Sequence, residues 1–163
     1  MLDDIIDELS VKIVQKTQAA FADNQYPGDE NLVEDSEYWE AINLSEQFKR
    51  KNWKVVPLEV LNRYRFNLSL FTPEAFHYYL PALILASVLF RSEVDTLPDN
   101  LIYNLTPPNE DGLNMDKFLR IAKSFNTSQK EVIREFIKLY ATVETSYQDP
   151  NIKRVTKFWN EYD

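Results

Sequence analysis

Glu74 and His77 stand one helical turn apart in the segment FTPEAFHYYLPALILASVLF, residues 71–90. At that spacing two side chains share a helix face, so the carboxylate can orient an imidazole acting as general base. Thr72 or a serine would supply the nucleophile of a hydroxyl–His–acid arrangement, with Glu74 as its acid. The supporting pattern is missing. There is no G-x-S-x-G elbow, and the only glycines, Gly28 and Gly112, leave no turn for an oxyanion site. His77 is also the only histidine. Glu74-Ala75-Phe76-His77 is one E-x-x-H motif, but a di-iron bundle needs two. EF-hand spacing is absent, as are both glycine-rich phosphate loops. The chain has no cysteine, which excludes thiolate catalysis, disulfides and cysteine-ligated metal centres. The expectation is therefore no catalytic residue, no metal and no cofactor.

Pro81 gives the same segment a second interest. A proline inside a helix removes one hydrogen bond and drives its ring against the carbonyl four residues back, here that of His77. Either the helix kinks, or a short helix over 73–79 ends and another begins at Pro81. The carbonyls of His77 and Tyr78 then need water, a side chain or a ligand. Glu74, His77, Tyr78 and Tyr79 thus form a candidate ligand or partner patch, a polar pocket at a helix break. The competing reading is a packed kink whose tyrosine hydroxyls are satisfied internally. Tyr26 and Asp29 join the candidates. They frame Tyr26-Pro27-Gly28-Asp29, which reads as a type II turn with glycine at the positive φ position. Asp29 can orient a ligand there, or more simply cap a helix starting near Glu30.

These residues need elements to hold them, and the pattern is helical. Two glycines and few alternating β-branched runs argue against a sheet. Leu2, Ile5, Ile6, Leu9, Ile13 and Ala20 fall on one stripe at helical spacing, closed by Phe21. Residues 36–51 read as a second helix burying Tyr38, Trp39, Ile42 and Phe48. Pro57 opens a short helix with Leu58, Leu61 and Tyr64. Thr72 is the expected N-cap of the central helix, with Pro73 first and Glu74 in the first turn. Residues 97–108 read as looser, and the 95–113 connection has no assigned structure. Two hairpin arms follow. Met115, Phe118, Leu119, Ala122 and Phe125 mark one, and Val132, Ile133, Phe136, Ile137 and Tyr140 the other. Ser128 and Glu131 match a capping box. Ile152, Val155, Trp159 and Tyr162 mark a last helix after Asp149-Pro150. The expected fold is all-α: one domain over 1–163, six or seven helices around a central apolar, Pro-interrupted helix.

Composition bounds the function. The chain has 163 residues, enough to bury a core without covalent staples. Residues 78–90 carry no charge, but thirteen residues fall short of the roughly twenty that span a bilayer. The expectation is a buried helix and no membrane role. The net charge of −8 is uneven: residues 1–46 hold twelve acids against Lys12 and Lys16. An acidic chain repels phosphate backbones, so no nucleic acid is expected. The acidic run at Asp29, Glu30, Glu34, Asp35 and Glu37 reads as a solvated face. The basic run FKRKNWK reads as a cationic helix C-terminus. The acidic start lacks the cationic and apolar regions of a secretory signal, and a cytoplasmic protein is expected.

YPGDENLV at 26–33, LSLFTPEAFHYYLPALILA at 68–86 and FLRIAKSFNTSQKEVIREFIKLY at 118–140 together resemble a family of small bacterial proteins of unknown function. The resemblance spans most of the chain. It implies a compact cytoplasmic domain and no activity. Two functions of different class follow. The first is a non-catalytic interaction or regulatory domain with a protein partner on its acidic N-terminal face. The second is a small ligand-binding protein or hydrolase with its pocket at the Pro81 break. An exposed aromatic–acidic patch beside a packed kink favours the first, and a deep cleft at the kink the second.

Overall fold

A computed structural model describes residues 1–34, 37–109, 112–144 and 149–163. Among them are eight α-helices and no strand, only an isolated bridge between Val33 and Phe71. The helices are α1 (Leu2–Ala20), α2 (Trp39–Phe48), α3 (Leu58–Arg63), α4 (Pro73–Leu89), α5 (Leu97–Leu105), α6 (Leu113–Ser124), α7 (Thr127–Val143) and α8 (Pro150–Glu161). Eight exceeds the six or seven expected because α5 occupies the segment read as loose. Leu97, Leu101, Ile102 and Leu105 bury one face of α5. Its N-terminal Leu-Pro hides that periodicity.

α4 is the centre. Twelve of its seventeen residues are buried, as expected for a helix apolar on every face. α1, α3, α5 and α6 pack around it, and α7 bridges α1 and α8. Burying a side chain such as Leu80, Leu83 or Ile84 stabilises by about 2 kcal/mol each. Thr72 caps α4 as expected: its Oγ1 accepts from the Ala75 amide at 3.0 Å and donates to the Asn31 carbonyl at 2.9 Å. The helix is not split at Pro81. It runs through the proline to Leu89.

Several local expectations are corrected. The buried stripe of α2 is Ala41, Leu44 and Phe48, while Tyr38, Trp39 and Ile42 are 60, 73 and 43 % exposed. Both stripes have helical spacing, and the packing selects the one whose members fit against the core. Gly28 has the positive φ foreseen, +100°, but its ψ of 150° is extended, so no type II turn forms. The capping box of α7 is Asn126 with Gln129, not Ser128 with Glu131. α6 ends at Ser124, so the chain must restart within two residues, and Glu131 is left to pair with Lys16 at 2.5 Å. α6 and α7 are not hairpin arms: α6 lies on α4, and α7 on α1. α1 buries only Ile13 and Thr17 fully, and Leu2 and Ile5 are exposed.

Candidate functional site

The two motif segments meet at residues 48–53, the loop leaving α2. Tyr79 is fully buried, and its hydroxyl is shared between the carbonyls of Phe48 (2.8 Å) and Lys51 (2.9 Å). The Tyr78 hydroxyl accepts from the Trp53 amide at 3.3 Å. The Tyr26 hydroxyl donates to Asp29 Oδ1 and accepts from the Arg50 amide at 2.8 Å. Arg50 sits at φ +60°, a left-handed conformation that costs a non-glycine residue about 1 kcal/mol. Its amide, held by both Tyr26 and Asp29 Oδ1 (3.2 Å), fixes that turn. The rings interlock edge-on: Tyr26 with Tyr78 at 5.4 Å, Tyr78 with Tyr79 at 4.9 Å, Tyr79 with Phe48 at 4.9 Å. Burial pushes the Tyr79 phenol far above its ordinary range. Burial and then the bond to Asp29 raise Tyr26 to about 12. Both phenols therefore keep their protons as donors at neutral pH. The basic run sits partly in this loop, and Lys51 donates to the Gln47 carbonyl near the end of α2.

Glu74 and His77 line a different place. They border an open cleft of about 420 Å³ with Asn24, Arg120, Ser124 and Gln129. Glu74 faces Arg120 at 3.5 Å. His77 Nδ1 lies 2.8 Å from Ser124 Oγ, and that hydroxyl lies 2.5 Å from the Ile121 carbonyl. Ser124 has one proton and the carbonyl can only accept, so the proton goes to Ile121. The imidazole therefore carries its proton on Nδ1 and donates to Ser124. Its ring stacks on Phe125 at 4.5 Å and meets the edge of Phe21 at 6.0 Å. Burial lowers its pKa to about 4, so it is neutral at pH 7. Among the described residues neither Ser124 nor Thr72 offers a free hydroxyl for attack beside His77. The Ser124 proton points away from His77, and Thr72 is committed to capping α4.

The carbonyl freed by Pro81, that of His77, is met from within, together with its neighbour at Tyr78. Asn24 Nδ2 reaches Tyr78 O at 3.3 Å and His77 O at 3.5 Å. Tyr26, Asp29, Tyr78 and Tyr79 are thus brought together around one loop, while Glu74 and His77 stand apart from them in the cleft. Asn24, Ser124 and Arg50 were not singled out in the sequence. Only the proline at 81, which demands a donor from somewhere, signalled a residue like Asn24.

The third feature is the outer face of α2. Tyr38 and Trp39 are consecutive, Ile42 follows one turn later, and all three are exposed. The sequence assigned them to the core. The competing Ala41–Leu44–Phe48 spacing was the available signal. Among the described residues no three His, Asp or Glu side chains are grouped to hold a metal ion. No helix of the described residues is long and apolar enough to cross a membrane.

Fold and site together define an all-α domain whose motif tyrosines hold the loop leaving α2. The chain matches a family over residues 10–163 and belongs to it: the family of unknown function DUF6714. No curated protein and no solved structure matches the chain.

Proposed function

We propose that this protein is a non-catalytic, cytoplasmic interaction domain. Its outer α2 face takes a basic segment of another protein that carries an apolar anchor. The observation behind this is Trp39, 73 % exposed beside Tyr38 and Ile42. Exposed aromatics grouped on one face are the usual anchors of protein interfaces. The charge around them selects the partner. From residue 17 to residue 48 the chain has eight acids and no lysine or arginine, with Glu40 next to Trp39 and Glu37 two residues before it. Such a field steers a cationic partner and speeds its association.

The test is a photoreactive amino acid placed at position 39, with position 66 as control, since Phe66 is 64 % exposed in the turn after α3. Cross-linking runs in the source cells. A protein captured at 39 and not at 66 is then purified and titrated. Trp39→Ala and Glu40→Lys are each expected to weaken binding at least about tenfold, and salt to weaken it further. Equal capture at both positions, or affinity untouched by both substitutions, overturns the reading.

A second reading rests on the His77 cleft. Among the described residues no protein group hydrogen-bonds His77 Nε2, so a small ligand with a donor can meet it there. If so, His77→Ala keeps the fold and abolishes binding of that ligand. A screen of small molecules that finds no His77-dependent binder removes this alternative.

A further inference from the structure

α1, α7 and α8 lie side by side, with α7 in the middle. Two open grooves flank α7 and share Lys138 and Thr142. One, of about 700 Å³, runs between α7 and α8 over a floor of Ile137, Ala141 and Ile152. The other, of about 620 Å³, runs between α7 and α1 along Ile5, Leu9 and Val11. The charges on the two sides are opposite. The α8 side carries Lys153 and Lys157, both exposed and with no ion-pair partner among the described residues, while Lys138 lies between the two grooves on α7. The first turns of α1 carry Asp3, Asp7 and Glu8, exposed and likewise unpaired among the described residues. Between these edges lie exposed Leu2, Ile5 and Val11, at 54, 46 and 58 %. α1 and α7 run antiparallel, as the Lys12–Glu135 and Lys16–Glu131 pairs show, so the acidic end of α1 lies beside the C-terminal half of α7.

One face with unpaired acids on one edge, unpaired bases on the other, and a mixed apolar and polar strip between is complementary to itself. A two-fold axis near the middle of α7 places each acidic edge on the partner copy's basic edge. We infer that this face binds a second copy of the chain as an isologous dimer. The first half of each α1 lies along the α7–α8 groove of the other, with Ile5 and Val11 against its apolar floor. Asp3, Asp7 and Glu8 face Lys153 and Lys157. Three helices roughly 10 Å wide and about 20 Å long in common offer on the order of 600 Å² in projection, near the ~800 Å² per partner of a standard interface. The occupancy covers Leu2, Ile5 and Val11, which α1 leaves exposed on its own chain while Ile6 and Leu9 pack on the core. It is independent of the α2 face, which no residue of this face shares.

The test is the mass in solution, by light scattering and sedimentation, for the full chain and three variants. The native chain is expected at twice its 19.2 kDa, dissociating as salt rises. Asp7→Lys with Glu8→Lys, and separately Lys153→Glu with Lys157→Glu, are each expected to give monomers. The chain carrying all four changes is expected to dimerise again, because the edges are exchanged and still opposite. Circular dichroism on each variant separates lost pairing from lost folding. A native chain that stays monomeric at millimolar concentration and low salt overturns the inference. So does a dimer that both half-swaps leave intact. A dimer broken by both half-swaps and not restored by their combination overturns the charge pairing that defines this interface.

Discussion

The side-chain amide of Asn24 donates to the carbonyl of Tyr78 at 3.3 Å, four residues beyond the end of α1 and in the middle of α4. The same amide reaches His77 O at 3.5 Å, the carbonyl that Pro81 deprives of its helical N–H. Gln129, at the start of α7, in turn donates to Ala20 O at 3.2 Å and reaches Asn24 Oδ1 at 3.5 Å. One proline in the core helix is thus answered by the junction of α1 and α7.

Asn24→Ala is expected to destabilise the protein by about 1–2 kcal/mol, because it strips His77 O, which Pro81 leaves without a helical N–H, of its donor. Pro81→Ala restores an N–H to His77 O. In the double variant the cost of Asn24→Ala is expected to shrink by at least about 0.5 kcal/mol. Urea unfolding of the four chains of this cycle measures the coupling. Strict additivity means Asn24 is not serving the break.

Tyr79→Phe keeps the buried ring and removes the hydroxyl shared by Phe48 O and Lys51 O. A loss of about 1–3 kcal/mol is expected, since both carbonyls lose a buried donor. Arg50→Gly acts in the opposite direction. Glycine adopts φ +60° without strain, so that change is expected to be neutral or to stabilise by up to about 1 kcal/mol. Thermal unfolding of the two variants checks both signs.

His77 makes stability depend on acid. Its pKa falls from 6.5 in the unfolded chain to about 4 in the fold, because burial penalises the imidazolium. The unfolded state therefore binds more protons between those values, and stability rises with pH there. On acidification the contribution is intact above pH 6.5 and lost progressively down to pH 4. His77→Phe keeps a ring to stack on Phe125 and removes the titration. The native protein is expected to lose about 2 kcal/mol more than this variant between pH 7 and pH 4.5, after discounting for the ring's partial exposure. Denaturant midpoints of the pair at the two pH values give the difference, in which the carboxylates shared by both chains cancel.

The three tryptophans separate surface from core. Trp39 is 73 % exposed, Trp53 4 % and Trp159 0 %. Acrylamide is expected to quench one of the three readily. Trp39→Ser is expected to abolish that fraction and shift stability by less than about 0.5 kcal/mol. Trp159→Ala is expected to cost about 3–5 kcal/mol, since it empties a packed site and leaves Leu105 O without the indole donor at 2.7 Å.

The helices were legible because their signals are local. The charge-free run of 78–90, the Thr72 cap with Pro73 and Glu74, and the 3.6-residue stripes of α7 and α8 each lie within one window of the chain. The positive φ at Gly28 was legible for the same reason, since glycine alone carries it without strain. α5 was missed because its stripe is only nine residues long and begins beside a proline.

What the tertiary structure alone decided is which groups meet. α2 has two stripes of similar spacing, and only the shape of the core beneath selects Ala41–Leu44–Phe48 and turns Trp39 outward. Six candidate residues read as one patch became two. On α4, side chains at 78 and 79 reach the loop after α2, while those at 74 and 77 face α6. The proline demanded a donor by its chemistry, but its position in sequence could not name Asn24, more than fifty residues away. The proton on His77 is likewise placed by Ser124 and Ile121, which arrive from another helix. Periodicity and capping are properties of neighbouring residues, and the chain itself determines them. Partners across helices depend on how whole faces pack, and only the folded structure determines those.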